Sequence, residues 1–210
     1  VEQFHLASRR PQMAGDMQRL RDSYTNWFEK FFWAPDDWGD LTPGPDETWI
    51  SSQGGRLENT KKLQFAIQEA HKHGIRAITY GKAMAYGHVA WEIVRRHPDW
   101  FVLDQTGRPI GMPADTWVDL LDHWRNFDAV AGAKTGKLDQ EYWVPRCYPD
   151  HRRLDAVDYA IDEIIESTKI FGWDGVRFDS SGFRSYYIDG TKDGRDGVNI
   201  RNMKRLKERL

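Results

Sequence analysis

At 210 residues, with 40% apolar and 30% charged side chains and a formal net charge of -2, the chain has the composition of one globular domain. Such a balance excludes the strong basic surface that nucleic acid or an anionic membrane would call for. The one cysteine, Cys147, excludes an internal disulfide and a cysteine-based zinc site, and no apolar run approaches the roughly 18 residues of a membrane span. The chain starts at Val1 without a signal-peptide pattern, which leaves the compartment open.

In chain order, Trp27-Phe28-Glu29-Lys30-Phe31-Phe32-Trp33 is a short aromatic run halted by Pro35, and reads as a first strand. A long loop, residues 36–58, carries Pro43, Pro45 and Gly54-Gly55. Asn59 then caps a predicted helix whose apolar positions Leu63, Ala66, Ile67 and Ala70 repeat at i, i+3, i+4 and i+7, with Gly74 just past its end. Residues 75–80 form the second predicted strand. A helix over 87–97 stops at Pro98, and residues 99–111 suggest a hairpin-like excursion turning at Gln105-Thr106-Gly107.

Residues 142–147 read as the third strand. Over 150–171 the positions Leu154, Val157, Ile161, Ile164, Ile165 and Thr168 describe an amphipathic helix closed by Gly172, with Asp150 as its N-cap. Gly175-Val176-Arg177-Phe178-Asp179 is the fourth strand. A helix from 199 to the end has Met203, Leu206 and Leu210 as its apolar stripe and a solvated basic face.

Strand and helix thus alternate, which implies parallel strands joined by crossover helices in a single α/β domain over residues 1–210. The alternatives are an open doubly wound sheet and a TIM-type (β/α) barrel. The first βα loops carry no glycine-rich phosphate fingerprint, and every strand runs into a long polar and aromatic loop, which favours the barrel. A closed barrel needs eight strands and typically about 250 residues. The expectation is therefore about the first four βα units, with the remaining half of the barrel supplied by the parent chain or by a partner protomer. Consecutive strands should lie side by side in the order one, two, three, four.

The opening candidate for chemistry is the fourth strand. Alternation puts Gly175, Arg177 and Asp179 on one face, and an arginine beside a carboxylate favours its ionised form, as a nucleophile requires. A structural ion pair at a strand end is the other reading. Ten tryptophans are the second unusual feature, and Trp33, Trp38, Trp49, Trp117, Trp124 and Trp143 fall in or beside segments rich in Pro, Gly and Asp. Flat aromatic rings beside Asp, Arg and Asn suit a carbohydrate cleft.

The remaining binding candidates sit at strand ends: Asp36, Asp37 and Asp40 around Trp38 as a sugar-hydroxyl clamp, Tyr80 and Lys82 after the second strand, Arg146 and Tyr148 after the third. Cys147 reads as a small buried residue, with no His/Asn pattern to make it a nucleophile. The seven histidines are scattered, and His71 and His73 lie two apart on a helix, so no metal and no cofactor is expected.

With its nucleophile candidate preceded by Gly-x-Arg-x, the run Gly172-Trp173-Asp174-Gly175-Val176-Arg177-Phe178-Asp179 resembles the fourth-strand motif of retaining glycoside hydrolases of the α-amylase and α-galactosidase type. His97-Pro98-Asp99-Trp100-Phe101, followed by Asp104-Gln105-Thr106-Gly107-Arg108-Pro109, is similar to a phrase that precedes the third strand in such barrels. The resemblance spans roughly residues 31–180. It implies a (β/α)8 barrel, hydrolysis of a poly- or oligosaccharide with retention, Asp179 as nucleophile and Arg177 as its charge partner. Two departures stand out. The Asp-x-x-x-Asn-His signature of classical α-amylases is replaced by Tyr142-Trp143-Val144-Pro145-Arg146-Cys147-Tyr148, and none of Asp189, Asp193, Asp196 and Glu208 ends a recognisable fifth strand that could carry the family's general acid. A non-catalytic carbohydrate-binding barrel, or a hydrolase or lyase of another polar substrate, stays open beside the glycosidase reading.

Overall fold

The computed structural model describes residues 6–7, 14–30, 33–36, 38–39, 41–44, 47–51, 57–81, 93–94, 96–103, 105, 107, 147–178, 183, 185–186, 192–193 and 197–210. Among the described residues its main sheet has four parallel strands, β1 (Leu6–Ala7), β2 (Trp27–Lys30), β5 (Arg76–Gly81) and β6 (Gly175–Phe178), in the spatial order β1-β2-β5-β6. Two antiparallel hairpins stand apart from it, β3 (Thr48–Ile50) with β4 (Leu57–Asn59), and β7 (Ser185–Tyr186) with β8 (Lys192–Asp193). Among the described residues, helices include α1 (Ala14–Asp22), α2 (Thr60–Lys72), α3 (Leu154–Phe171) and α4 (Val198–Arg209), with a 3-10 turn at Pro98–Trp100.

The main-sheet strands follow one another across the sheet in chain order, with no reversal of the kind a doubly wound sheet requires. Two details differ from the sequence expectation. First, β5 bonds β2 on one edge and β6 on the other, so no strand from residues 142–147 lies between them. A strand has only two hydrogen-bonding edges, and both of those on β5 are taken. Cys147 to Pro149 instead run beside the segment after the 3-10 turn, through a Phe101–Pro149 antiparallel bridge and bonds from the Val102 N–H to the Tyr148 carbonyl (2.8 Å) and from the Asp150 N–H to the Trp100 carbonyl (2.7 Å). Second, β6 is still fourth in the sheet, because β1 precedes the strand that the sequence reading counted first.

The long helices form for the local reasons that their sequences carry. Asn59 accepts from the N–H groups of Lys61 (3.0 Å) and Lys62 (3.4 Å), and Gly74 takes the left-handed turn (φ 67°) that returns the chain into β5. Gly172 does the same after α3 (φ 79°). Asp150 is not the cap of α3. It lies before the first turn and binds the backbone N–H and guanidinium of Arg152, which hold its carboxyl below the usual range against the opposing effect of burial.

Leu63, Ile67 and Ala70 of α2 and Ala156, Val157, Ala160, Ile161 and Ile164 of α3 share one hydrophobic core with Phe28 and Ala77, against which Val176 and Phe178 pack. Ile78 and Tyr80 are buried but lie outside that cluster, as strand alternation requires of residues on the other face. α4 packs differently from its predicted stripe. Val198, Asn202 and Leu206 are buried, whereas Met203 and Leu210 are exposed, because the buried Asn202 amide donates to the His151 carbonyl (2.8 Å) and so meets its polar requirement inside. The basic face is no free surface either, since Arg205 and Arg209 bind Asp158 and Asp162 on α3.

Candidate functional site

The register of the sheet assembles a polar group on the face turned away from the helices. Glu29 stands level with Ile78, Ile78 with Gly175, and Tyr80 with Arg177. These residues therefore share a face, while their neighbours Phe28, Ala77 and Val176 point into the helix-covered core. Gly175, level with Ile78, brings no side chain of its own to this face. The Arg177 guanidinium lies over the Tyr80 ring, 5.3 Å from the centroid, and its Nε donates to Glu29 Oε1 at 2.5 Å. The anion is sealed, at 1% side-chain exposure, while the Arg177 side chain is 38% exposed. A buried carboxylate is thus overlaid by a guanidinium that still reaches solvent.

Sequence reasoning named Arg177 and Tyr80 as candidates and did not name Glu29. An acid in the interior of an aromatic strand, alternating with the core residue Phe28, was the available clue. Arg177 was read as the neighbour of Asp179, and its described partner is Glu29 from a different strand.

Trp33 and Trp38 require correction as sugar platforms. Trp33 is fully buried and Trp38 is 2% exposed. Trp33 packs against Trp49, Phe171 and Trp173 with centroids 5.2 to 6.1 Å away, donates to Thr79 Oγ1 (3.0 Å), and accepts the Trp49 indole N–H at its carbonyl (2.6 Å). Trp38 packs on Phe101, His151 and Tyr159, and its Nε1–H donates to His151 Nε2 (3.0 Å). A ring enclosed on both faces has none to offer a sugar; Pro- and Gly-rich loops here fold back and use their tryptophans as core.

Asp36 is also a correction to the clamp. Its buried Oδ1 accepts from the N–H groups of Trp38 (2.8 Å) and Gly39 (2.7 Å), a local turn that fixes the loop. The loop is held down further by Tyr159 Oη donating to the Gly39 carbonyl (2.9 Å), and by Leu41 N–H and Thr42 Oγ1 donating to Glu163 (each 2.9 Å). A Cβ on Gly39 would come within 2.3 Å of Ile93 Cδ1, so any larger residue there would have to displace the end of that side chain. Tyr148 lies in the bridge-linked segment beside Val102 rather than at the end of a sheet strand. Cys147 is buried as expected, and burial, reinforced by the charge of Asp36, pushes its thiol well above the ordinary range, the opposite of nucleophile activation. Asp37, Asp40, Lys82, Arg146 and Asp179 lie outside the described residues.

No family model matches this sequence, and no curated protein does. Solved structures do match in fold. A cycloisomaltooligosaccharide glucanotransferase from Paenibacillus sp. aligns over 99% of this chain and 28% of its own, with a TM-score of 0.67 at 14% identity. A maltogenic α-amylase, AmyB from Thermotoga neapolitana, aligns over 98% of this chain and 42% of its own (TM-score 0.55, 14% identity). The α-galactosidase from Lactobacillus brevis aligns over all of this chain and 25% of its own (TM-score 0.55, 12% identity). The chain therefore spans less than half the length of each of these proteins. At such identities the likeness establishes the fold alone: an α/β chain with a parallel sheet, similar in fold to TIM-barrel glycosidases.

Proposed function

We propose that this chain is a portion of a glycoside hydrolase that cleaves a poly- or oligosaccharide with retention, Asp179 acting as nucleophile. The observation that carries the reading is the place of β6: fourth in a parallel sheet, with Arg177 on the face of Tyr80 and Glu29, one residue before Phe178 and two before Asp179. In a barrel, function gathers where strands run out into their following loops, and residue 179 follows β6 directly. The glucanotransferase, amylase and galactosidase neighbours support carbohydrate as the substrate class. Retention calls for a second carboxyl about 5 to 5.5 Å from the first, supplied by a strand outside this set. Further strands, from additional chain or a second protomer, would extend the sheet from β6. Asp37, Asp40, Lys82 and Arg146 remain proposed contacts to sugar hydroxyls.

One observation favours the runner-up, a carbohydrate-binding barrel without turnover: Arg177 already has a buried counter-ion in Glu29. The two readings part on Asp179→Asn in the full-length gene product. As nucleophile, the residue cannot be replaced by an amide, so turnover of an activated aryl glycoside should vanish while the substrate still binds. Near-normal turnover by that variant would refute the assignment.

A further inference from the structure

α1 stops on a residue that its backbone does not favour. The Thr25 N–H donates to the Leu20 carbonyl and the Tyr24 N–H to the Arg21 carbonyl, each at 2.9 Å, the paired bonds of a helix that ends on a left-handed residue. That residue is Tyr24, at φ 60°, whereas glycine takes the left-handed place after α2 (Gly74) and after α3 (Gly172). Among the described residues Tyr24 alone combines a side chain with a positive φ. Glycine adopts this conformation without the clash between Cβ and the following carbonyl that an L-residue meets. The ring gives the fold little in return, since Tyr24 is 83% exposed. Backbone strain that carries an exposed aromatic is accounted for by a contact outside the fold.

The surroundings select the kind of contact. Tyr24 precedes β2 and so lies at the N-terminal ends of the parallel strands, opposite the end at which residue 179 follows β6. The turn of Gly74 is beside it: the Arg76 N–H donates to the Asn26 carbonyl (2.9 Å), and the guanidinium carbon of the exposed Arg21 lies 4.0 Å from where a Cβ on Gly74 would stand. The sequence neighbours Arg21, Asp22, Ser23, Thr25 and Asn26 are all polar, and the other exposed large apolar side chains among the described residues are carried by α2, α3 and α4. The ring therefore stands alone in polar surroundings, unlike the contiguous apolar patch of a protein interface, and a lone flat ring suits the C–H face of a sugar. Resting on the carbohydrate reading above, we infer that Tyr24 is an auxiliary sugar-binding platform, which holds a stretch of polysaccharide chain at the end of the sheet opposite the proposed nucleophile.

The test is affinity electrophoresis of the full-length gene product through gels that contain amylopectin, dextran or galactomannan, with turnover of an activated aryl glycoside measured in parallel. At least one of these polymers should retard the wild-type protein. Tyr24→Gly removes the ring and suits the backbone, so its dissociation constant for that polymer should rise about ten-fold, the factor that one aromatic stacking contact supplies. Its melting temperature should hold or rise by about 2 °C, and its turnover of the small glycoside should match that of the wild-type protein. Tyr24→Phe keeps the ring and should bind within about two-fold of the wild-type protein. An unchanged dissociation constant in Tyr24→Gly, or no retardation of the wild-type protein by any of the polymers, overturns the inference. A fall in the melting temperature of Tyr24→Gly by more than about 4 °C makes the ring part of the packing and overturns it too. So does a wild-type dimer in sedimentation that Tyr24→Gly converts to a monomer, because the ring then serves a contact between copies. The two assignments fail separately: full turnover by Asp179→Asn refutes the nucleophile and leaves the polymer test standing, and retardation that survives in Tyr24→Gly refutes the platform and leaves the nucleophile standing.

Discussion

Trp38→Ala separates a core tryptophan from a sugar platform by size alone. The ring is 2% exposed and in contact with Phe101, His151 and Tyr159, so truncation opens a large void, at a cost of about 3–5 kcal/mol for an aromatic-to-alanine change in a core. It also takes the Nε1–H away from His151 Nε2, a fully buried acceptor, at a further cost of about 1–3 kcal/mol. Together these come to roughly 4–8 kcal/mol, and at about 2–4 °C per kcal/mol for a chain of this size the melting temperature should fall by roughly 8–32 °C. Calorimetry and urea titration of the wild-type protein, Trp38→Ala and Trp38→Phe supply the measurement. Phenylalanine keeps most of the ring contact and loses the indole N–H, so it should fall between the other two. A loss below about 1 kcal/mol for Trp38→Ala, typical of an exposed site, would refute the packing argument and return Trp38 to the binding candidates.

The Arg177–Glu29 pair makes an asymmetric prediction: Arg177→Met strands a buried carboxylate and should cost about 3–5 kcal/mol in urea unfolding, whereas adding Glu29→Gln to it should recover most of that loss. Asp158 supplies a pH dependence. The Arg205 guanidinium, with Arg209 assisting, holds its carboxyl below the usual range, so the stability it contributes is present above its unfolded value of about 3.9 and is lost as pH falls through the lower folded value. The stability gap between the wild-type protein and Asp158→Asn should accordingly narrow between pH 7 and pH 3, and a gap that stays constant would contradict the assignment.

What the sequence made legible was whatever repeats locally. Asn59, the 3.6-residue stripe of α2 and Gly74 announce a capped helix, and the same logic ends α3 at Gly172. Strands β2, β5 and β6 were visible from their apolar runs, and their parallel alternation with helices from the order alone. Leu6–Ala7 was invisible because two residues have no period, and the place in the sheet expected for residues 142–147 could not be checked from sequence because aromatic and β-branched composition does not specify a partner. The aromatic loops were misread for a related reason. Composition says that Trp33 and Trp38 follow turn residues, but not that Thr79 and His151 wait for their N–H groups 46 and 113 positions away. The Arg177–Glu29 hydrogen bond was likewise hidden, since pairing over 148 residues is a property of register.

Register is where the candidate site and the fold meet. Glu29 and Lys30 are adjacent and of opposite charge, and in a flexible chain they would screen each other. In β2 alternation sends them to opposite faces, and both are buried, so each needs its own distant counter-ion. Glu29 finds Arg177 on β6, while Lys30 finds Glu58 on β4 at 3.1 Å, with side-chain exposures of 8% and 4%. A slip of β2 by one residue would exchange the two faces, setting Lys30 against Arg177 and Glu29 against Glu58, two buried like-charge encounters in place of two ion pairs. The same slip would carry Phe28 out of the core that it shares with Ala77 and Leu63. Hydrophobic burial and charge therefore select one register together, and that register is the one that brings Glu29, Tyr80 and Arg177 to a single face.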